Sequence, residues 1–320
     1  MIVLGLDTSC YTTSAALAGD GGRWSSCRRL LEVRTGGRGL RQSEAVFAHT
    51  RQLPELVEQA LADTEEPIGA VCASVSPVDG EDSYMPVFLV GAGYGRALAA
   101  ALRVPFFTTT HQRGHLRAAR VDTGLPPGDF LALHCSGGTT DVLACRGHEI
   151  RKLSSSLDLH AGQLVDRVGV ALGLPFPAGP SLEQLAEGYT ARALAPVSVC
   201  AEGCHLSGAE TKLTQLIQSG TLPPGQIAAE TYDVLCRTVV RLLGQAADQT
   251  GLSCALLFGG VMSSLRLRRM LLDRVRKRRL PLNLYFGKPE LSGDNAVGVA
   301  HIGLERMNEH GTAAGRKDLF

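Results

Sequence analysis

Aromatic residues are scarce in this 320-residue chain, at 5% with a single tryptophan, so its cores cannot rest on large aromatic side chains. No stretch approaches the roughly 18 apolar residues that a membrane-spanning helix needs, which excludes an integral helical membrane protein. Charge of one sign is also missing: lysine and arginine balance aspartate and glutamate to a formal net charge of +1. No global field therefore announces a nucleic-acid partner, and any such surface must be local. The nine cysteines form no metal-ribbon spacing, because the nearest two, Cys200 and Cys204, stand as C-x-x-x-C without a second half. Free thiols in a reducing cytosol account for them, and the opening MIVLGLDTSC lacks the basic region of a signal peptide. A cytoplasmic protein is expected.

Glycine is abundant, at 37 residues, and suits tight turns beside ligands. The length and the 44% apolar content allow two packed lobes. Ile2 to Leu6 and Thr13 to Ala18 have strand character, and Gly19-Asp20-Gly21-Gly22 supplies a hairpin turn. Leu53, Leu56, Val57, Ala60 and Leu61 recur at helical spacing. A strand over 71–75, a helix over 88–102, a strand over 106–109 and a short helix over 111–119 follow. The second half predicts helices over 163–172, from Ser181 and over 227–249, and a strand over 254–258 that runs into Gly259-Gly260 and a helix. Strand, double glycine and helix is how a backbone approaches a nucleotide. A last strand over 282–286 precedes Ser292-Gly293-Asp294, read as the cap of a helix over 295–307.

The chain starts twice. GLDTSCYTTSAALA and ALHCSGGTTDVLAC align at a constant offset, with Leu6 on Leu133, Ser9 on Ser136, Thr12 on Thr139 and Thr13 on Thr140. Each copy is a strand, a hydroxyl- or glycine-rich turn and a second strand. Two such hairpins across a cleft would cradle phosphates with backbone N–H groups and hydroxyls.

His111 and His115 share one face of a helix in His111-Gln112-Arg113-Gly114-His115, and an i, i+4 pair can chelate one metal ion. With LGLDTSC, SGGTT, DRVGVALGLPFPAGP, HLSG, FGGV and PELSGDNA in this order, the chain resembles the universal tRNA threonylcarbamoyladenosine transferase family, once misnamed glycoproteases. The resemblance implies a two-lobed α/β fold of the actin-like ATPase type, a duplicated RNase H-like architecture with a cleft between the lobes. Residues 1–110, completed by the helix over 295–307, would form one lobe and 111–294 the other. It also implies transfer of a threonylcarbamoyl group from an adenylate to an adenosine beside the tRNA anticodon. His111, His115 and Asp294 would bind one divalent metal, iron or zinc with magnesium as a further candidate. His134, Cys135, Ser136, Gly137 and Gly138 would flank the phosphates of an adenine nucleotide or threonylcarbamoyl adenylate. Asp166, Gly179 and Glu183 would frame ribose and base, and Gly259, Gly260 and Ser264 would admit the adenine. The partners implied are tRNA, a paralogous subunit of the same fold and a small ATPase, or a second copy.

The departures matter as much. Tyr11 and Thr12 stand where the family carries adjacent acids, Asp7 where it has glutamate, Thr139 where it has histidine and Ser264 where it has asparagine. A longer loop, Pro77 to Pro86, replaces a Gly-Pro-Gly turn. A nucleotide- and metal-binding paralogue that regulates, scaffolds or uses another acceptor is the alternative they raise. A metalloprotease would need glutamate at Gln112, and a sugar or acyl kinase of this architecture needs no histidine pair. Arg266, Arg268, Arg269, Arg274, Arg276, Lys277, Arg278 and Arg279 face a single acid, Asp273. They read either as a solvated face or as a tRNA-backbone patch, with Arg113, Arg117 and Arg120 as further members. Arg28, Arg29, Arg34, Arg38 and Arg41 form a second cluster.

Overall fold

The structure, a computed structural model, describes residues 1–9, 11–32, 40–62, 64–80 and 82–314. Cys10, Glu81, Arg34 and Arg38 lie outside these residues. The chain divides into two compact units, Met1–Val121 with Gly293–Phe320, and Asp122–Ser292. The division falls beyond residue 110 because the helix carrying both histidines packs on the C-terminal helix of the first unit.

In the first unit, β1 (Ile2–Ser9), β2 (Thr12–Gly19) and β3 (Trp24–Leu30) form an antiparallel meander. The Gly19–Gly22 segment makes the β2–β3 turn, as its composition predicts, with Gly21 and Gly22 at positive φ. After α1 (Gln42–Ala62) come β4 (Ile68–Ser76), α2 (Phe88–Leu102), β5 (Phe106–Thr110) and α3 (His111–Arg120). The five-stranded sheet has the order β3-β2-β1-β4-β5, with β1, β4 and β5 parallel. Every residue of β1 and β2 is buried, so neither strand alternates, and the end that joins them buries Asp7 and five hydroxyl residues, Thr8, Ser9, Thr12, Thr13 and Ser14.

The second unit repeats this plan. It contains β6 (Phe130–Cys135), β7 (Thr140–Arg146), β8 (Glu149–Ser156), α4 (Ala161–Ala171), α5 (Gly179–Leu185), β9 (Ser198–Val199), β10 (Gly203–His205), α6 (Ser207–Ser219), α7 (Pro224–Thr250), β11 (Cys254–Phe258), α8 (Leu265–Lys277) and β12 (Asn283–Phe286). Its seven-stranded sheet runs β12-β11-β6-β7-β8-β10-β9, so the stretch from β8 to β12 repeats the strand order of the first sheet. The register repeats too: Thr8 pairs with Thr13 and Cys135 with Thr140, Leu6 with Ala15 and Leu133 with Val142. The internal repeat seen in the sequence is thus a duplicated sheet, and the chain has the two-lobed α/β architecture expected. Leu131, Leu133, Tyr232, Leu235 and Leu243 are buried in the second core, each leucine contributing about 1.5–3 kcal/mol by its burial.

The chain returns to the first unit as α9 (Val297–Ala314), two residues later than the sequence predicts. Asn295 caps it, its Oδ1 accepting from the Val297 N–H at 3.0 Å, and this corrects the assignment of the cap to Asp294. The consequence is chemical: the Asp294 carboxylate is released for other partners. Glycines bring α9 close, since a Cβ on Gly298 would overlap the Gly114 carbonyl of α3 and one on Gly5 would lie 2.5 Å from the Ala300 nitrogen. Gly298→Val is therefore expected to destabilise the protein by about 1–3 kcal/mol or more and to loosen α3 from α9. Urea unfolding together with metal content checks both effects.

Candidate functional site

The first cluster lies in the first unit, where β5 ends at Thr110. Its side chain accepts from the Arg113 N–H and caps α3, so His111 opens the helix and His115 follows one turn later. Their Nε2 atoms are 2.9 Å apart, and Asp294 Oδ1 lies 3.1 Å from His115 Nε2 and 3.6 Å from His111 Nε2. The three candidate ligands meet as predicted, their donor atoms all within 4.8 Å of one another.

The groups behind them set their orientation. His111 Nδ1 faces both oxygens of the fully buried Asp7, at 3.0 and 3.2 Å, so in the neutral, metal-binding form of the ring a proton held there would leave Nε2 its lone pair toward His115 and Asp294. The Ser74 hydroxyl also donates to Asp7. On the other side the Thr12 hydroxyl donates to Asp294 Oδ2 at 3.2 Å, leaving Oδ1 for the histidines. Arg28 Nη1 donates to the Asp294 carbonyl. Burial alone would lower the His111 pKa, but the Asp7 charge and the hydrogen bonds that the ring donates to both carboxylates raise it to about 10. Burial likewise opposes ionisation of Asp294, yet both histidines outweigh it and hold that carboxyl well below its ordinary range. Two imidazole nitrogens and one ionised oxygen converging on a point fit a divalent cation, which would take the place of the shared protons.

The departures noted in the sequence acquire roles here. Thr12, buried, orients a candidate ligand, whereas Tyr11 is 43% exposed and lends its carbonyl to the Leu31 N–H. The Pro77–Pro86 loop is anchored on α3, with Arg113 donating to both Asp79 oxygens at 2.8 Å and Gln112 N–H to the Pro77 carbonyl. Arg113 and Arg117, the latter paired with Glu305, are thus engaged by acids of their own unit. In the N-terminal basic cluster, Arg29 pairs with Glu55.

The second cluster lies in the second unit, at the carboxyl ends of β6 and β11. Ser136 to Thr139 turn β6 into β7, with Ser136 N–H donating to the Thr139 carbonyl at 2.8 Å and Gly138 N–H to the Ser136 Oγ at 3.3 Å. Thr139, at the family's histidine position, closes this turn through its backbone. Gly162 packs against it so closely that a Cβ would lie 2.6 Å from the Gly137 nitrogen. Gly137 and Gly138 themselves face open space. Beside the turn, His134 stacks on Phe258 at 4.7 Å, and Cys135 is buried. Gly259 has φ +98 and its Cβ would strike the Cys135 carbonyl, which requires glycine; Gly260 is open.

A 3-10 turn over Gly260–Ser263 separates the double glycine from α8, where a direct helix was expected. Ser264 caps α8 by accepting from the Leu267 N–H at 3.1 Å, a task asparagine performs equally well. Glu183 Oε1 accepts from the Arg266 N–H at 2.6 Å and Asp166 Oδ1 from the Ala178 N–H at 2.8 Å. Each of these bonds uses one oxygen of its carboxylate. Gly179 is held through its carbonyl by the Tyr232 hydroxyl.

Asp158 is a residue the sequence reading missed. Its oxygens accept from Leu206 N–H, Ser207 N–H and the Ser207 hydroxyl, tying the HLSG segment and α6 to the start of α4. Burial would raise its pKa, but these donors lower it to about 2. Its contribution to stability is present above the unfolded value near 3.8 and disappears as pH falls from there toward 2. Asp158→Asn is expected to flatten the acid unfolding curve in that window, which circular dichroism reads.

The family model "TsaD: tRNA N6-adenosine threonylcarbamoyltransferase" matches residues 33–301. A tRNA N6-adenosine threonylcarbamoyltransferase of Methanopyrus kandleri is 30% identical over 97% of this chain and 89% of its own length. Among solved structures, full-length HypF in its phosphate- and nucleotide-bound form aligns with 93% of this chain at a TM-score of 0.58 and 11% identity. This chain spans about half of HypF, 54% of its length. The 2-hydroxyisocaproyl-CoA dehydratase activator of Clostridium difficile, with bound ADPNP, aligns over 98% of both chains at a TM-score of 0.53 and 14% identity. At such identities these likenesses establish the actin-like ATPase fold alone. The match along most of the chain, on a duplicated sheet, is of another order: this protein belongs to the tRNA N6-adenosine threonylcarbamoyltransferase family.

Proposed function

We propose that this protein transfers the threonylcarbamoyl group of threonylcarbamoyl adenylate to the exocyclic amine of an adenosine beside the tRNA anticodon. The observation that carries the reading is the family match over residues 33–301. It favours the transferase over the regulatory or scaffold alternative. In the reaction a C–N bond forms at the carbamoyl carbon, the bond to the phosphate oxygen breaks, AMP departs and the amine loses a proton.

Each unit carries part of this chemistry. In the second, the open backbone at Gly137 and Gly138 leaves room for phosphate oxygens, and the remaining oxygens of Asp166 and Glu183 suit ribose hydroxyls. Gly259 and Gly260 let the backbone approach the adenine. In the first, His111, His115 and Asp294 would hold the ion, with Asp7 and Thr12 fixing the two ligands they touch. Imidazole donors favour iron or zinc over magnesium, which prefers oxygen. A cation held there would supply Lewis acidity to a carbonyl or phosphate oxygen. The acceptor is tRNA in the cytosol, with a paralogous subunit and a small ATPase, or a second copy, as protein partners.

Tyr11 and Thr12 set the rate. A carboxylate is a far better proton acceptor than a phenol or an aliphatic hydroxyl. Base assistance is typically worth about a hundred- to ten-thousand-fold, and the wild type should be slower than an acid-bearing relative by part of that range. Tyr11→Asp/Thr12→Glu should recover rate in single-turnover assays at saturating metal, since a carboxylate at 12 would stand beside Asp294, where Thr12 now donates, and a bound cation would offset their repulsion. A wild type as fast as such a relative would show that the acids are dispensable here.

A further inference from the structure

The basic run of α8 divides into two populations. Arg266 donates to the Ala186 and Tyr189 carbonyls. Arg268 donates to the Met262 and Gly287 carbonyls and lies 5.1 Å over the Phe286 ring. Arg274 pairs with Asp233, which Arg237 also engages. These three hold the second unit together. The others point outward, and Arg276 and Lys277 are 82% and 74% exposed.

Arg269, Leu272, Arg276 and Arg279 follow one another at spacings of three and four and form one stripe along α8 and just past its end. The stripe walls a groove of about 790 Å³ whose other side is Leu282 and the strand β12, Tyr285 among its lining residues. That strand is the outer edge of the seven-stranded sheet. The acid here, Asp273, bonds both Arg276 and Lys277 and cannot balance the stripe. Arg279 also adopts φ +52 at the helix end, a conformation that glycine would adopt more cheaply.

We infer that this groove is a docking surface for the phosphate backbone of the tRNA acceptor. The inference rests on the transferase reading and extends it to where the nucleic acid is held. Three guanidiniums spaced along a helix suit successive phosphates, and Tyr285 offers a ring on which an unpaired base can stack. Along α8, Arg276 stands about 18 Å from Ser264 at the adenylate end, so the contact holds the tRNA body and leaves the adenylate pocket untouched.

Fluorescence anisotropy with unmodified tRNA at several salt concentrations tests this. Arg269→Gln/Arg276→Gln/Arg279→Gln protein is compared with wild type and with Arg151→Gln, an exposed arginine on β8. We expect the triple variant to lose about 10- to 100-fold in affinity near 0.1 M salt, and its log–log salt slope to flatten by about two to three. AMP binding by calorimetry should stay unchanged, and Arg151→Gln should match wild type. Arg276→Gln and Arg279→Gln alone give the same reading, in smaller steps, if the triple variant folds poorly. Unaltered tRNA affinity and slope overturn the inference. So does loss of polyglutamate binding with tRNA binding intact, which would assign the groove to an acidic protein partner. A wild type that binds no tRNA overturns the transferase reading itself.

Discussion

His115→Ala protein is expected to lose its bound metal while its fold survives. The side chain contributes one of three converging donors, and an ion held by His111 and Asp294 alone is bound far more weakly. Alanine suits the interior of α3, so the helix itself does not object. His111→Ala should behave differently although it removes an equivalent donor. It strands the Asp7 carboxylate, fully buried with Ser74 as its remaining side-chain donor, and breaking such a buried pair costs about 3–5 kcal/mol. Both variants should therefore emerge metal-free by elemental analysis, and only His111→Ala should melt markedly lower. His111→Ala/Asp7→Ser should regain much of the lost stability without regaining metal. Full metal stoichiometry in His115→Ala would remove the site from the account.

The second large effect concerns Gly138. Its position is open and its φ is not positive, so valine there disturbs nothing in the free protein. A branched side chain would nevertheless occupy the space that the proposed phosphate site needs beside the turn. Gly138→Val is expected to lower AMP affinity by at least about a hundredfold, or roughly 2.7 kcal/mol, with an unchanged melting temperature. Gly259→Val offers the contrast. Its φ of +98 and the Cys135 carbonyl against it mean that the β6–β11 contact itself must open, so stability falls along with binding. Calorimetry and thermal melts on the two variants separate a ligand surface from a packing constraint. Equal affinity in Gly138→Val and wild type would place the pocket elsewhere.

The elements most legible in the sequence were those whose pattern is local. The Phe88–Leu102 helix, the histidine-bearing helix and the strand before Gly259 have the apolar periodicity or punctuation that defines them without outside help. The duplicated hairpins were legible because hydroxyl-rich turns recur at fixed positions, and pairing then fixes the register. In contrast, β3 and β8 carry arginine, lysine and serine, and they are strands only because β2 and β7 offer them an edge. Helix α6 escaped notice because its anchor, Asp158, lies far away in sequence.

The same distinction holds within the site. His111 and His115 are one turn apart and could be paired by spacing. Asp7 and Thr12 act through contacts over 104 and 282 positions, and no local pattern announces them. The basic helix is a mixed case. Composition displayed all its arginines, but only packing separates Arg266, Arg268 and Arg274, bound inward, from those that face solvent.

The most direct test of the account is mass spectrometry of nucleosides from tRNA incubated with the purified protein, threonylcarbamoyl adenylate and iron or zinc. The account predicts threonylcarbamoyladenosine at the adenosine beside the anticodon, formed with wild type, lost with His115→Ala and with Gly138→Val. Unmodified adenosine after long incubation with metal-loaded, adenylate-binding wild type and its protein partners would contradict it.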